Sequence, residues 1–388
     1  MNMRYFDYFL PNVNFFGPKS VEVIGERVEL LGVKKALIVT DTFLRTLPDG
    51  PVEQVEKHLK AKNIDYVFYD GVEPNPKIAN CLDGLKVYTK NNCDSIITVG
   101  GGSAHDCGKG IGIAATHDKP LTELAGIETL ENPLPPIVAV NTTAGTASEI
   151  TRHCVLTNSD THLKFVIVSW RNVPVVSIND PLLMLDIPAG LTAATGMDAL
   201  THAVESYVSK NANPVTDAAA IQAIKLISTN LRQAVANGHN VEARENMAYA
   251  SLLAGMAFNN ADLGYVHAMA HQLGGQYDMA HGVANAILLP TVEEYNMISN
   301  LDKFADIARF MGEDVTGLSQ RDAAVLAIQA MRTLATDVGI PATLKEMNVK
   351  REDFDLMATN ALNDGNAFSN PRQGNKADII KLFEQAYE

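Results

Sequence analysis

A chain of 388 residues, 46% hydrophobic and 20% charged, has the make-up of an ordinary globular protein and the length for two domains. A formal net charge of -14 and a pI near 5.2 exclude the basic surface that nucleic acid or an anionic membrane would require, and no local basic run departs from that balance.

The opening MNMRYFDYFLPNVNFFG is apolar in places but interrupted by Arg4, Asp7, Pro11 and Asn12, so it lacks the continuous apolar core of a signal peptide. No stretch reaches the roughly eighteen apolar residues of a membrane span, and a cytoplasmic location is expected. Cys81, Cys93, Cys107 and Cys154 show no CxxC spacing, which fits reduced structural thiols and neither a zinc ribbon nor a redox pair.

Through the first half, short β-branched runs alternate with helical patterns. KKALIVTD (34 to 41), DYVFYD (65 to 70), DSIITVGG (94 to 101) and PIVAVNT (136 to 142) read as buried strands, and the first three recur at about 30 residues, the length of a strand-helix-strand unit. That spacing predicts a parallel sheet covered by helices on both faces. HCVLT and LKFVIVS flank the turn-rich NSDT as a β-hairpin, and VVSINDP adds another strand before Pro181. From about Pro188 the chain turns rich in Ala, Leu and Met. VTDAAAIQAIKLISTNLRQAV carries a helical stripe of Ile221, Ile224, Ile227 and Leu231 opened by Thr216 and Asp217 as caps, and ARENMAYASLLAGMAFN, DKFADIARFMG, RDAAVLAIQAMRTLATDVG and KADIIKLFEQAYE continue alike. The expected organisation is an α/β domain over residues 1–185 and an all-helical domain over residues 186–388.

Two loops in the first half carry chemistry. Gly100, Gly101 and Gly102 follow a strand and let the backbone approach a ligand, while Ser103 to Asp106 can open a helix whose free N–H groups suit a pyrophosphate. This is not GxGxxG, and such a turn can be only a turn. NTTAGTASEIT (141 to 151) also follows a strand, and its Thr142, Thr143, Thr146 and Ser148 offer hydroxyls to phosphate or ribose. Two such loops beyond the carboxyl ends of strands point to a Rossmann-like dinucleotide-binding domain. Asp41, ending the first strong strand, would accept from ribose hydroxyls and repel a 2′-phosphate, favouring NAD over NADP; otherwise it is a turn residue.

In the second half Asp198 and His202 stand four residues apart, as do His267 and His271, and His281 follows past a Gly274-Gly275 break. On a helix each pair shares a face. One carboxylate and three imidazoles, Asp198, His202, His267 and His281, form a ligand set for a divalent transition metal. A lone helix histidine is usually a hydrogen-bonded structural residue, and His58, His105, His117, His153, His162 and His239 are scattered in that way.

GGGS with Asp106 and Lys109, the NTTAGTASE loop, GMDALTHAVESY, and YVHAMAHQLGG with HGVANAILLP together resemble the iron-dependent (group III) alcohol dehydrogenases, over essentially the whole chain. The resemblance implies the iron-containing alcohol dehydrogenase fold, related to that of dehydroquinate synthase. It implies Fe(II) on Asp198, His202, His267 and His281, and NAD(H) contacts at Asp41, Asn75, Gly101, Gly102, Ser103, Thr142, Thr143, Thr146 and Lys164. It also puts His271 near the nicotinamide and the metal as a candidate for proton delivery, and Phe258 at the substrate pocket. FDYFLPNVNFFG, DGVEPNPK, ITRHCVLTN, FVIVSWRN and DGNAFSNPR narrow the implied reaction to 3-hydroxypropanal and 1,3-propanediol, with lactaldehyde or simple primary alcohols as the alternative. The implied partners are a small aldehyde or alcohol and further copies of the chain, as a dimer or an assembly of dimers up to a decamer. Ala104 and Ala280 stand where relatives often carry Pro, and Thr291 where His is frequent, but no ligand is replaced. A different class, a metal-dependent lyase or cyclase that holds and regenerates NAD, would need a basic pocket for a phosphorylated substrate. A metal or redox sensor would need an interaction tail, and none is evident.

Overall fold

The computed structural model describes residues 6–161 and 163–388. Arg4 and His162, named above, lie outside them. Two compact units are distinguished, Phe9–Asp186 and one built on Ile187–Glu388.

Nine strands occur among the described residues: β1 (Val13–Phe16), β2 (Lys35–Val39), β3 (Asp65–Tyr69), β4 (Ser95–Gly100), β5 (Gly126–Ile127), β6 (Ile137–Asn141), β7 (His153–Asn158), β8 (Leu163–Val168) and β9 (Val176–Asn179). Six of them form a parallel sheet in the order β1-β9-β6-β4-β2-β3. Strands buried on both faces have no polar face to show, which is why these runs read as continuous Val, Ile and Leu. Ile38, Ile97 and Val138 pack on one side with Val55 and Leu59, and Leu37, Ile96 and Ile137 on the other with Cys107 and Ile111. Each such side chain contributes roughly 1.5–3 kcal/mol by burial.

From β2 the chain runs to β3 on one side and returns past β2 to β4 on the other, so the strand order reverses between β2 and β4. Ligands of open α/β sheets lie beyond the carboxyl ends of strands at such a point. A smaller sheet, β5-β8-β7, contains the antiparallel β7–β8 hairpin expected around NSDT. β1 was not legible as a strand: its four residues gain their partner only by pairing in parallel with β9 at the sheet edge, far along the chain.

All the described elements of the second unit are helical. Two local expectations are corrected there. The helix Pro214–Ala236 is capped not by Thr216 and Asp217 but by Asn213, whose Oδ1 accepts from the N–H groups of Val215 and Thr216, with Pro214 in the first turn. Thr216 returns the favour by accepting from the Asn213 N–H, completing a reciprocal cap. Nor does Gly274-Gly275 break the helix Tyr265–Tyr277, which runs through both and stops at Asp278, in the left-handed region at φ 50. Two helical glycines cost about 1 kcal/mol each, and packing of the fully buried flank Tyr265–Leu273 overrides that preference. No helix among the described residues is long and apolar enough to cross a membrane.

His105, buried in the helix Gly102–Thr116, bonds Thr98 Oγ1 through Nδ1 at 2.7 Å. Burial, helped by the charge of Lys109, lowers its pKa to about 3. The unfolded chain takes up this proton near pH ~6.5 and the folded chain only near 3, so the stability His105 confers is full above 6.5 and falls with pH below it, by ~1.4 kcal/mol per pH unit. His105→Asn is expected to flatten the acid limb of a urea-midpoint against pH series by one proton; an unaltered slope would show that His105 is not the group titrating.

Candidate active site

Three helices bring the four candidate ligands together. Asp198 and His202 lie one turn apart on Ala189–Val208, His267 sits in the first turn of Tyr265–Tyr277, and His281 is the first residue of His281–Asn296. Gly282 permits the close approach, since a Cβ there would lie 2.2 Å from the Ala194 carbonyl oxygen. Nε2 of His202, His267 and His281 lie 3.9, 3.8 and 3.7 Å from Asp198 Oδ1. One donor atom from each residue falls within 4.8 Å of all the others. Bonds of ~2.1 Å to a tetrahedral ion would give edges of ~3.4 Å, so small shifts would close this set on one cation. One carboxylate oxygen and three imidazole nitrogens, without thiolate, suit iron, zinc or another first-row divalent ion. Asp198, His202 and His267 are buried, while the His281 side chain is 24% exposed and marks the open side.

Further residues support this set and were not singled out from the sequence. Glu205, one turn beyond His202, takes His267 Nδ1 on Oε2 at 2.5 Å and the Val266 N–H on Oε1 at 2.8 Å. That contact directs the His267 Nε2 lone pair toward Asp198, the carboxylate–imidazole support common behind metal ligands. Burial raises the Glu205 carboxyl above its usual range, while the N–H groups of Val266 and His267 favour its ionised form. Asn285 reaches Asp198 Oδ1 with Nδ2 at 2.7 Å. The Phe258 ring stacks on that of His202, centroids 4.2 Å apart, beside the ligands.

His271 stands outside the set. Its Nδ1 bonds Asp364 Oδ2 at 2.7 Å and its ring stacks on His281 at 5.6 Å. Burial alone would raise Asp364, but the charge and hydrogen bond of His271 outweigh it and hold that carboxyl below its usual range.

In the α/β unit, Asp41 follows β2, Gly101 to Ser103 follow β4, and Thr142, Thr143 and Thr146 follow β6, all at carboxyl ends of adjacent parallel strands. The two loops touch: a Cβ on Gly101 would lie 2.8 Å from Thr143 Oγ1, and one on Gly102 2.7 Å from Thr146 Oγ1. Asp41 caps the helix Thr42–Thr46, its Oδ1 accepting from Leu44 N–H at 2.8 Å. Asn75, at φ 51, accepts from Lys164 Nζ at 2.8 Å.

Lys109 ties this region together. Fully buried, its Nζ lies 2.7, 3.0 and 2.7 Å from the carbonyl oxygens of Ser148, Thr151 and His153 and 3.0 Å from Ser148 Oγ, four acceptors sharing three N–H donors. Ser148 in turn donates to Asp106 Oδ1 at 2.7 Å. Burial lowers the Lys109 pKa despite the carboxylates around it. Lys109→Met would leave these buried acceptors unsatisfied, and it is expected to destabilise the protein by ~3 kcal/mol or more in urea unfolding; a change near zero would show that the network is dispensable. All four cysteines are free and buried, as their spacing led us to expect.

Residues 11–181 match the iron-containing alcohol dehydrogenase model, and residues 192–387 match the C-terminal model of the Fe-containing alcohol dehydrogenase family. The chain belongs to this family. Among Fe-containing alcohol dehydrogenases it is 70% identical to a 1,3-propanediol dehydrogenase of Citrobacter freundii and 68% identical to one of Klebsiella pneumoniae, each over 387 residues and the full length of both chains. A crystal structure of a 1,3-propanediol oxidoreductase of the family superposes with a TM-score of 0.97 at 68% identity, covering 99% of this chain and 100% of that one.

Proposed function

We propose that this chain is an iron- and NAD(H)-dependent dehydrogenase that interconverts 3-hydroxypropanal and 1,3-propanediol. The reading is carried by the convergence of Asp198 Oδ1 with three histidine Nε2 atoms in a chain that is 70% identical, end to end, to a 1,3-propanediol dehydrogenase. Bound there, Fe(II) supplies a Lewis acid for the carbonyl or alcohol oxygen, and the nicotinamide supplies or accepts the hydride.

The residues divide the remaining work. Asp198, His202, His267 and His281 hold the ion, and Glu205 fixes the tautomer of His267. His281, the most exposed of the four, leaves a side for substrate to enter, and Phe258 gives that side an apolar wall. Asp364 holds His271 Nδ1, which frees Nε2 to deliver a proton to the developing alkoxide or to remove one from the alcohol. Gly101, Gly102, Ser103, Thr142, Thr143 and Thr146 cradle the pyrophosphate, with Lys109 bracing the second loop from behind. Asp41, whose Oδ1 is engaged in the cap, offers its other oxygen to the adenosine ribose and disfavours NADP. Asn75 and Lys164 approach the cofactor as a bonded pair. The enzyme works in the cytoplasm as a homo-oligomer, a dimer or an assembly of dimers as large as a decamer.

The lyase or cyclase reading fares worse, because neither residues 196–208 nor residues 264–296 contain a Lys or Arg for a phosphorylated substrate. NADH oxidation by anaerobically purified protein, with and without Fe(II), decides the matter with 3-hydroxypropanal, lactaldehyde and propanal side by side. Iron-dependent turnover with 3-hydroxypropanal preferred is expected. Preference for lactaldehyde would move the assignment within the family, and no NADH consumption by the iron-loaded protein would refute the dehydrogenase reading.

A further inference from the structure

We infer that Asn285 is a further metal-facing residue, which lies against three of the four donor atoms and whose carboxamide would present its Oδ1 to the cation. This rests on the reading of Asp198, His202, His267 and His281 as a metal centre.

Asn285 lies one turn after His281 on the same face of its helix and is fully buried. Its Nδ2 is 2.7 Å from Asp198 Oδ1, 3.1 Å from His267 Nε2 and 3.2 Å from His281 Nε2, so it touches three of the four donor atoms. A carboxamide nitrogen has two hydrogens and cannot serve three acceptors at once. What it does is place partial positive charge among lone pairs that would otherwise repel. Meanwhile the Oδ1 of the same side chain, buried, has no hydrogen-bond partner among the described residues. Leaving a buried carbonyl oxygen unsatisfied is costly.

A cation at the hub reverses both conditions. The ligand lone pairs turn to the ion, the adjacent N–H groups are repelled by it, and the unsatisfied oxygen is attracted. A half-turn about the terminal torsion, which is soft in an amide, exchanges the two atoms in place. Amide oxygens are ordinary donors to hard divalent ions. Asn285 would thus add an oxygen donor to those of Asp198, His202, His267 and His281.

Cobalt(II) is the probe, because it accepts the same nitrogen and oxygen donors and its visible bands report coordination number. Metal-free wild type, Asn285→Leu and Asn285→Asp are titrated with Co(II) against a chelator of known affinity, with thermal melts of each metal-free protein alongside. Asn285→Leu keeps the volume and removes the oxygen; it is expected to weaken Co(II) binding by about tenfold or more, change the visible spectrum and lower the metal-free melting temperature. Asn285→Asp retains an oxygen and is expected to bind Co(II) at least as tightly as wild type. Wild-type affinity and spectrum in Asn285→Leu would overturn the role of Asn285 alone. Equal weakening in both variants with unchanged spectra would also overturn it, leaving a packing role. Failure of wild type itself to take up stoichiometric Co(II) would remove the centre and this role together.

Discussion

Asp198→Ala is expected to abolish iron binding at stoichiometric supply and to lower kcat/KM by at least about a thousandfold, roughly 4 kcal/mol. Asp198 is the one anionic donor of the four, and its Oδ1 is the point on which the three Nε2 atoms converge at 3.7–3.9 Å. Without it, three imidazoles face one another with no carboxylate between them, and Asn285 loses the acceptor nearest its Nδ2. Anaerobic metal analysis beside the NADH assay separates loss of the ion from loss of fold, provided far-ultraviolet circular dichroism stays as in wild type. Full iron content with normal turnover would show that the four residues are not the centre.

His271→Ala should leave iron near stoichiometric while turnover falls by about a hundredfold to ten-thousandfold, the range for a proton carrier. The separation follows from geometry. His271 lies beside the ligands, its ring centroid 6.4 Å from that of His267 and 5.6 Å from that of His281, and its Nδ1 is taken up by Asp364. Asp364→Asn should lower turnover less and distort the pH profile, because the imidazolium loses its counter-charge but not its place. Unchanged turnover in His271→Ala would sink the proton-relay role.

The strand-helix alternation of the first half was legible because buried parallel strands need mostly apolar runs, as β2, β4 and β6 carry, while β3 at the sheet edge showed itself by its aromatic and β-branched residues. The short edge strand β1 was not, since nothing within its four residues distinguishes it from a loop. In the site, helical spacing of four exposed the Asp198–His202 pair before any geometry was known. The same periodicity could have found Glu205, seven residues after Asp198, and Asn285, four after His281, on the ligand faces of their helices. They passed as ordinary helix residues because Glu and Asn are common at such places for other reasons. Asp364 had no local signal at all: it meets His271 across a separation of 93 positions in the chain. Lys109 was visible as part of a motif, but its partners are mostly backbone carbonyls, which no side-chain pattern encodes.

His281 is both the least buried of the four donors and the opening residue of its helix. Helix ends come undone far more readily than helix middles or whole domains. If these four residues hold the ion, fraying of that single turn would free one donor of the four and open the centre to exchange without unfolding the rest. Chelator-driven iron release should therefore proceed at a rate insensitive to urea below the unfolding transition; a rate rising steeply with urea would tie exchange to global opening instead.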